Sequence, residues 1–186
     1  MKIVAATGNA HKLREIREIL SGFEILSARE AGFTGDVEET GATFAENALL
    51  KAEAVCRATG LPALADDSGL CVECLGGAPG IYSARYSGGG DAENRALLLK
   101  NMQNASERRA YFSCAIALVF ADGKVLTAEG RTYGEILREE RGAGGFGYDS
   151  LFYSDDLKKS FGEASEEEKN SVSHRGRALG ALRRQL

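Results

Sequence analysis

The chain has 186 residues, 44% of them apolar and 27% charged, with a formal net charge of −4. That length suits one domain, or one domain with a smaller lobe, and is enough to bury a core. The negative balance argues against nucleic acid as a partner, which needs a basic face. No run approaches the roughly 18 apolar residues of a membrane span.

Lys2 to Ala6 is a short apolar run that reads as a first strand; it is too short for a signal peptide, and the chain reads as cytoplasmic. It stops at Thr7-Gly8-Asn9-Ala10-His11-Lys12. A helix follows with Leu13, Ile16, Ile19 and Leu20 on its apolar face, Arg14, Glu15, Arg17 and Glu18 mostly opposite, and Gly22 as its stop. Phe23 to Leu26 reads as a second strand. A strand, polar loop and helix in this order suit either a phosphate, met by loop amides and the helix N-terminus, or a plain connecting turn. Lys12 adds a positive charge in the first turn. The chain lacks the glycine–lysine spacing of a P-loop.

Gly35 to Gly41 is an acidic loop carrying Glu38 and Glu39. Thr43, with Glu46 three residues on, fits a capping box. The helix it opens buries Phe44, Ala48, Ala52, Val55 and Cys56 and ends before Gly60. Lys51, two turns along, is either a surface residue or reaches back toward the acidic loop.

The apolar run Pro62 to Ala65 ends in Asp66-Asp67-Ser68-Gly69, and the chain turns apolar again at Leu70 and Val72. On its own this reads as a turn at a strand end, since these residue types favour turns. Two adjacent carboxylates repel, however, and a fold keeps them together only with a cation or a proton to share. A loop end beside a sheet is also where Mg²⁺ is held by one or two carboxylates plus substrate phosphates.

Leu75 to Gly80 is a glycine-rich loop, Ile81 to Tyr86 resumes structure, and Ser87 to Gly90 is a break. Asp91 is placed to cap a helix running to about Asn101. Arg109 to Ala121 is the clearest strand, apolar on both faces and therefore central in a sheet. Asp122-Gly123 signals a hairpin, with Lys124 to Thr132 returning and Tyr133 to Arg138 as a possible further strand. Arg141 to Ser150 is a glycine-rich loop whose Phe146 and Tyr148 either stack on a flat ring or pack in a hairpin. Glu166 to Ser171 reads as a short charged helix or a turn. Ser173 caps a last helix with Ala178, Leu179 and Leu182 inward, and His174 and Arg175 at its start, where the basic residues are either a solvated helix end or a guanidinium fork suited to a phosphate or a base carbonyl. Cys71 and Cys74 have a metal-like spacing without a second pair, so all four cysteines read as small apolar residues.

Together these segments describe a magnesium-dependent nucleoside triphosphate site: a phosphate loop (Thr7 to Lys12), acidic ligands (Glu38, Glu39, Asp66, Asp67), an aromatic platform (Phe146, Tyr148) and a polar clamp (His174, Arg175). Thr7-Gly8-Asn9-Ala10-His11-Lys12, Glu38 to Asn47, Ala65 to Gly69, Gly76 to Arg85, Gly145 to Asp149 and Ser173-His174-Arg175 resemble the inosine/xanthosine triphosphate pyrophosphatase family. The resemblance covers residues 4 to about 180.

It implies an α/β chain, 1–186, folded as one nucleoside triphosphate pyrophosphatase domain: an elongated, two-lobed fold around a long mixed β-sheet, with the active site between the lobes. It also implies a homodimer. The activity implied is Mg²⁺-dependent hydrolysis of dITP, ITP and XTP to the monophosphate and pyrophosphate. By motif, Thr7, Gly8, Asn9, Ala10, His11, Lys12 and Lys51 meet the triphosphate. Glu39 or Glu38 and Asp67 hold Mg²⁺, with Asp66 as an auxiliary ligand or supporting partner. Asp67 is the general base and Ser68 touches substrate. Phe146, Gly147, Tyr148, Asp149, Lys169, His174 and Arg175 surround base and sugar, Arg175 offering donors to a purine carbonyl. The family pattern has proline where this chain has Ser150, which leaves the glycine loop less constrained. A pyrophosphatase for other nucleotides and a non-catalytic nucleotide-binding module are the competing readings; the number of acidic residues argues against the second.

Overall fold

The computed structural model describes residues 1–186. Its sheet has six strands in the order β2-β1-β3-β4-β5-β6: β1 Lys2–Ala5, β2 Glu24–Ser27, β3 Ala63–Val72, β4 Arg109–Val119, β5 Val125–Ile136 and β6 Phe152–Ser154. β1 runs parallel to β2 and β3, and β5 antiparallel to β6, so the sheet is mixed and the fold is α/β. Five helices accompany it: α1 Ala10–Ile19, α2 Phe44–Thr59, α3 Asp91–Asn101, α4 Glu166–Val172 and α5 His174–Arg183. None is long and apolar enough to cross a membrane.

Local chemistry sets the helix ends. The Asn9 side chain accepts from the amides of His11 and Lys12 and opens α1. Thr43 accepts from Glu46 N at the start of α2, while the Glu46 carboxylate takes Ala42 N rather than closing a reciprocal box on Thr43. Gly60 ends α2 in the left-handed region at φ 69°, where glycine carries no Cβ penalty. Ser165 and Glu168 form a reciprocal capping box on α4.

Two compact units divide the chain. One comprises residues 1–67, 114–130 and 175–186; the other comprises 68–113 and 131–174. The first unit has two apolar clusters. Ile3, Ile16, Leu20, Leu64, Ile116, Leu118, Leu179 and Leu182 pack in one, and Val4, Ala48, Ala52, Val55, Ala65, Ala117 and Val119 in the other. In the second unit Leu70, Val72, Leu98, Met102, Phe112, Ile136, Leu151, Phe152 and Phe161 form the core. There Phe112 packs on Phe152 at 4.7 Å and lies parallel to Phe161 at 6.1 Å.

Two expectations are corrected here. Asp66-Asp67-Ser68-Gly69 is not a turn: the backbone stays extended through all of β3. Lying between β1 and β4, that strand finds sheet partners on both edges, and cations described below answer its carboxylates. Ile81 to Tyr86 resumes structure mainly as a 3-10 helix, Gly80–Arg85. Tyr133 to Ile136 is the continuation of β5, not a separate strand. The Asp122-Gly123 hairpin is present, closed by Phe120 N on Lys124 O at 2.9 Å.

Candidate functional site

In the first unit the predicted residues converge on the middle of β3. Successive strand side chains point to opposite faces, so Asp66 and Asp67 meet different partners. Asp66 is 1% exposed, and its Oδ2 takes Arg175 Nε at 3.1 Å, Arg175 Nη2 at 3.0 Å and Lys12 Nζ at 3.1 Å. The Cys114 thiol lies 4.0 Å from the same oxygen. Burial alone would raise this carboxyl's pKa, but Lys12, Arg175 and Lys51 outweigh it and hold the group well below the usual carboxylate range. Burial and the nearby Asp66 charge push the Cys114 thiol up to about 12, so it stays neutral.

Asp67, 6% exposed, faces α2. Lys51 Nζ contacts Asp67 Oδ1 at 3.3 Å, Glu39 Oε1 at 2.9 Å and Asp66 O at 2.8 Å, three acceptors for the three hydrogens of one ammonium. Burial raises the Asp67 pKa and the neighbouring Glu39 charge adds to it, so the opposing pull of Lys51 and Lys12 is overcome. Burial acts to lower the Lys51 pKa, yet Asp67, Asp66 and Glu39 raise it, and the lysine stays charged. Asp66 Oδ1 and Asp67 Oδ2 are buried and without hydrogen-bond partners. No three His, Cys, Asp or Glu side chains converge as a metal-holding group; Lys51 stands between Glu39 and Asp67 instead. Glu38 remains exposed.

The Thr7 to Lys12 segment forms the β1–α1 connection. Thr7 Oγ1 accepts from Asn9 N at 3.1 Å, and Asn9 Oδ1 from His11 N at 2.9 Å and Lys12 N at 3.2 Å. Two first-turn amides thus already have a side-chain acceptor. Gly8 and Ala10 are exposed, and Lys12 leans onto Asp66.

Two residues of this unit escaped the sequence reading. Glu15, expected on the polar face of α1, is 7% exposed and ion-pairs with Arg175 Nη1. Its position three residues after Lys12, on the border of the apolar stripe, was the available clue. Asn47, one turn before Lys51, is fully buried; its Oδ1 accepts from Gly41 N at 2.8 Å and anchors the acidic loop, while its Nδ2 has no partner. Gly41 must approach closely, since a Cβ there would lie 2.7 Å from Asn47 Oδ1 and from Glu46 Cβ.

Arg175 is 1% exposed, and its guanidinium pairs with Asp66 and Glu15 in the geometry of a buried charge partner.

In the second unit Phe146, Asp149 and Lys169 come together. Asp149 Oδ2 accepts from Phe146 N at 3.0 Å and from Lys169 Nζ at 2.7 Å, and that ammonium lies 4.6 Å from the centre of the Phe146 ring. His174 stacks on Phe112 at 4.8 Å with ring planes 14° apart. Tyr148 packs in the core of this unit, 4% exposed, and its hydroxyl donates to Ser83 O at 2.7 Å. Burial raises its pKa. Gly147 is partly buried and held by α3 through Asp91 and Arg95. Ser68 lies half-buried in β3. Ser150 donates to Glu140 Oε1 at 2.6 Å. The four cysteines are free thiols, with only Cys74 exposed.

The model of the Ham1 family matches residues 3–185. The chain is 51% identical to a dITP/XTP pyrophosphatase of Thermus thermophilus, over 98% of this chain and 90% of that one. It is 47% identical to a dITP/XTP pyrophosphatase of Clostridium perfringens, over 100% and 97%. Among solved structures, the Ham1 protein of Staphylococcus aureus superposes with a TM-score of 0.90 at 40% identity, covering 100% of this chain and 97% of that one.

Proposed function

Since the chain belongs to the Ham1 family, we propose that it hydrolyses non-standard purine nucleoside triphosphates, dITP, ITP and XTP or dXTP, to the monophosphate and pyrophosphate. The observation that carries this reading is Asp67, a buried carboxylate with one oxygen held by Lys51 and the other unpartnered. Relatives about half identical over nearly their whole length bear the name dITP/XTP pyrophosphatase, which supports the choice of substrate.

The residues suit a hard divalent cation. Asp67 Oδ2 lacks a partner, Glu39 shares the Lys51 ammonium with Asp67, and Mg²⁺ needs only one or two protein carboxylates when substrate phosphates complete its shell. Glu39, rather than the exposed Glu38, is the second ligand beside Asp67 in this proposal, and Asp66, on the opposite face of the strand, is the supporting partner. Bound Mg²⁺ would neutralise phosphate charge and polarise the bond to be cleaved.

Asp67 accepts the proton of the attacking water and aligns it with the α-phosphorus. It is buried with one oxygen unpartnered, which leaves an acceptor for that proton. Lys12 and Lys51 offer ammonium groups to the phosphates and to the departing pyrophosphate. Asn9 fixes the Thr7–Lys12 backbone that meets the triphosphate. Arg175, itself held by Glu15, helps keep Asp66 ionised and still, so Lys12 has one anchor. Phe146, Gly147, Asp149, Lys169 and His174 meet base and sugar, with the Phe146 ring as the flat surface.

The test is pyrophosphate release from a panel of dITP, XTP, dGTP, dATP and pyrimidine triphosphates, with Mg²⁺ and with chelator. Release that favours dITP and XTP and vanishes with chelator is expected. Preference for a pyrimidine or standard nucleotide would overturn the substrate assignment, and binding without release would make the protein a nucleotide-binding module.

A further inference from the structure

One helix end holds the glycine loop of the second unit from outside the residues assigned above. Asp91 and Arg95 stand one turn apart at the start of α3. Asp91 Oδ2 accepts from Gly147 N at 2.9 Å, and Arg95 Nη1 donates to Gly147 O at 2.9 Å. Two side chains of a single helix thereby grip the N–H and the C=O of one residue. Gly147 sits at φ 61°, a conformation open to glycine at no steric cost. A Cβ there would meet nothing within 4 Å, so this glycine serves the backbone angle rather than a close approach.

Arg95 does more than bind Gly147. Its Nε lies 2.6 Å from Glu140 Oε1, and the same oxygen accepts from Ser150 Oγ at 2.6 Å. Ser150, Glu140 and Arg95 therefore tie the far end of the loop to Gly147. Asp91 is exposed, and the start of α3 already has Glu93 Oε2 accepting from Gly90 N at 3.0 Å, so the Asp91 carboxylate is free to serve the loop. Phe146 directly precedes Gly147 and Asp149 lies between Gly147 and Ser150; the two are joined to each other and to Lys169.

We propose that Asp91 and Arg95 are positioning residues for purine binding: they fix the Gly147 peptide so that Phe146 and Asp149 present one preformed surface to the base. The inference rests on the reading that this loop meets the base. A loop with left-handed glycines at 142, 145 and 147 has many conformations open to it. Ordering it before the ligand arrives removes a cost from binding and leaves the chemical step untouched. The pair therefore acts on KM.

The experiment compares Asp91→Ala, Asp91→Asn and Arg95→Met with the unaltered protein. Two things are measured: Mg²⁺-dependent pyrophosphate release from dITP, and amide hydrogen exchange across residues 145–149. Asp91→Ala and Arg95→Met should each raise KM for dITP about three- to tenfold, the range spanned by one lost hydrogen bond, with kcat little changed and faster exchange at Gly147. Asp91→Asn should restore both, because an amide oxygen still accepts the Gly147 N–H. A fall in kcat at unchanged KM, unchanged exchange, or failure of the Asn variant to rescue overturns the clamp. If the unaltered protein releases no pyrophosphate from any purine triphosphate, the functional reading fails and the positioning role with it. Turnover in the unaltered protein with unchanged KM in both variants overturns the clamp alone.

Discussion

Asp66 and Asp67 share a peptide bond and shift in opposite directions, the first held strongly acidic and the second made more basic. The extended strand causes the split by turning their carboxylates to opposite faces. Asp66 meets a guanidinium and an ammonium, whereas Asp67 shares one ammonium with Glu39. Four consequences can be measured.

Asp67→Asn should abolish most turnover, by about a hundredfold to ten-thousandfold, the usual worth of a positioned base. Its fold should not suffer. A pKa raised on folding means that the folded chain disfavours the charge, so the neutral amide should leave the melting temperature unchanged or raise it. A variant that unfolds readily would show the carboxylate to be structural.

Asp66→Asn should do the reverse. It weakens the partner of a buried guanidinium, and breaking such a pair costs about 3–5 kcal/mol, read from urea unfolding at neutral pH. The pH dependence follows from the depressed pKa. Below the ordinary aspartate value of 3.8 the unfolded chain takes up a proton that the folded chain refuses, so stability present above that pH is lost as the pH falls. The Asn variant should lack this share of acid sensitivity when the two proteins are compared in chelator.

Lys51→Met leaves Glu39 and Asp67 facing each other without their shared ammonium. The expected loss is about 1–3 kcal/mol of stability, with reduced turnover. Added Mg²⁺ should recover part of that stability and do so more in the variant than in the unaltered protein, because a divalent cation answers the same carboxylates. Calorimetry with and without Mg²⁺ decides; no difference between the two proteins would count against these carboxylates as the cation site.

Gly41→Ala introduces a Cβ 2.7 Å from both Asn47 Oδ1 and Glu46 Cβ. The loop must move, and Glu39, two residues earlier, moves with it. Turnover should fall and the Mg²⁺ requirement rise, while urea unfolding changes little because the loop is largely exposed. Normal Mg²⁺ dependence in this variant would remove Glu39 from the cation site.

Much of the fold was legible because its causes are local. Asn9 and Thr43 open helices by accepting amides two or three residues away, Gly60 closes one, and the doubly apolar run from Arg109 is the central strand it reads as. The candidate site was legible as a collection of motifs, and the family followed from their wording and order. What the motifs left open was how their members meet.

The amino-acid sequence by itself determined most of the elements, the mixed α/β class, the family and the residue types of the proposed site. Each of these depends on spacing within a few residues, or on motif text. Only the tertiary structure decided that the two aspartates stand within a strand, that Glu39 rather than Glu38 reaches Lys51, and that Arg175 lies buried between Asp66 and Glu15. Those partners are 109 and 160 residues from the arginine in the chain. No local propensity acts over such separations; only packing brings the charges together, and burial then compels them to pair.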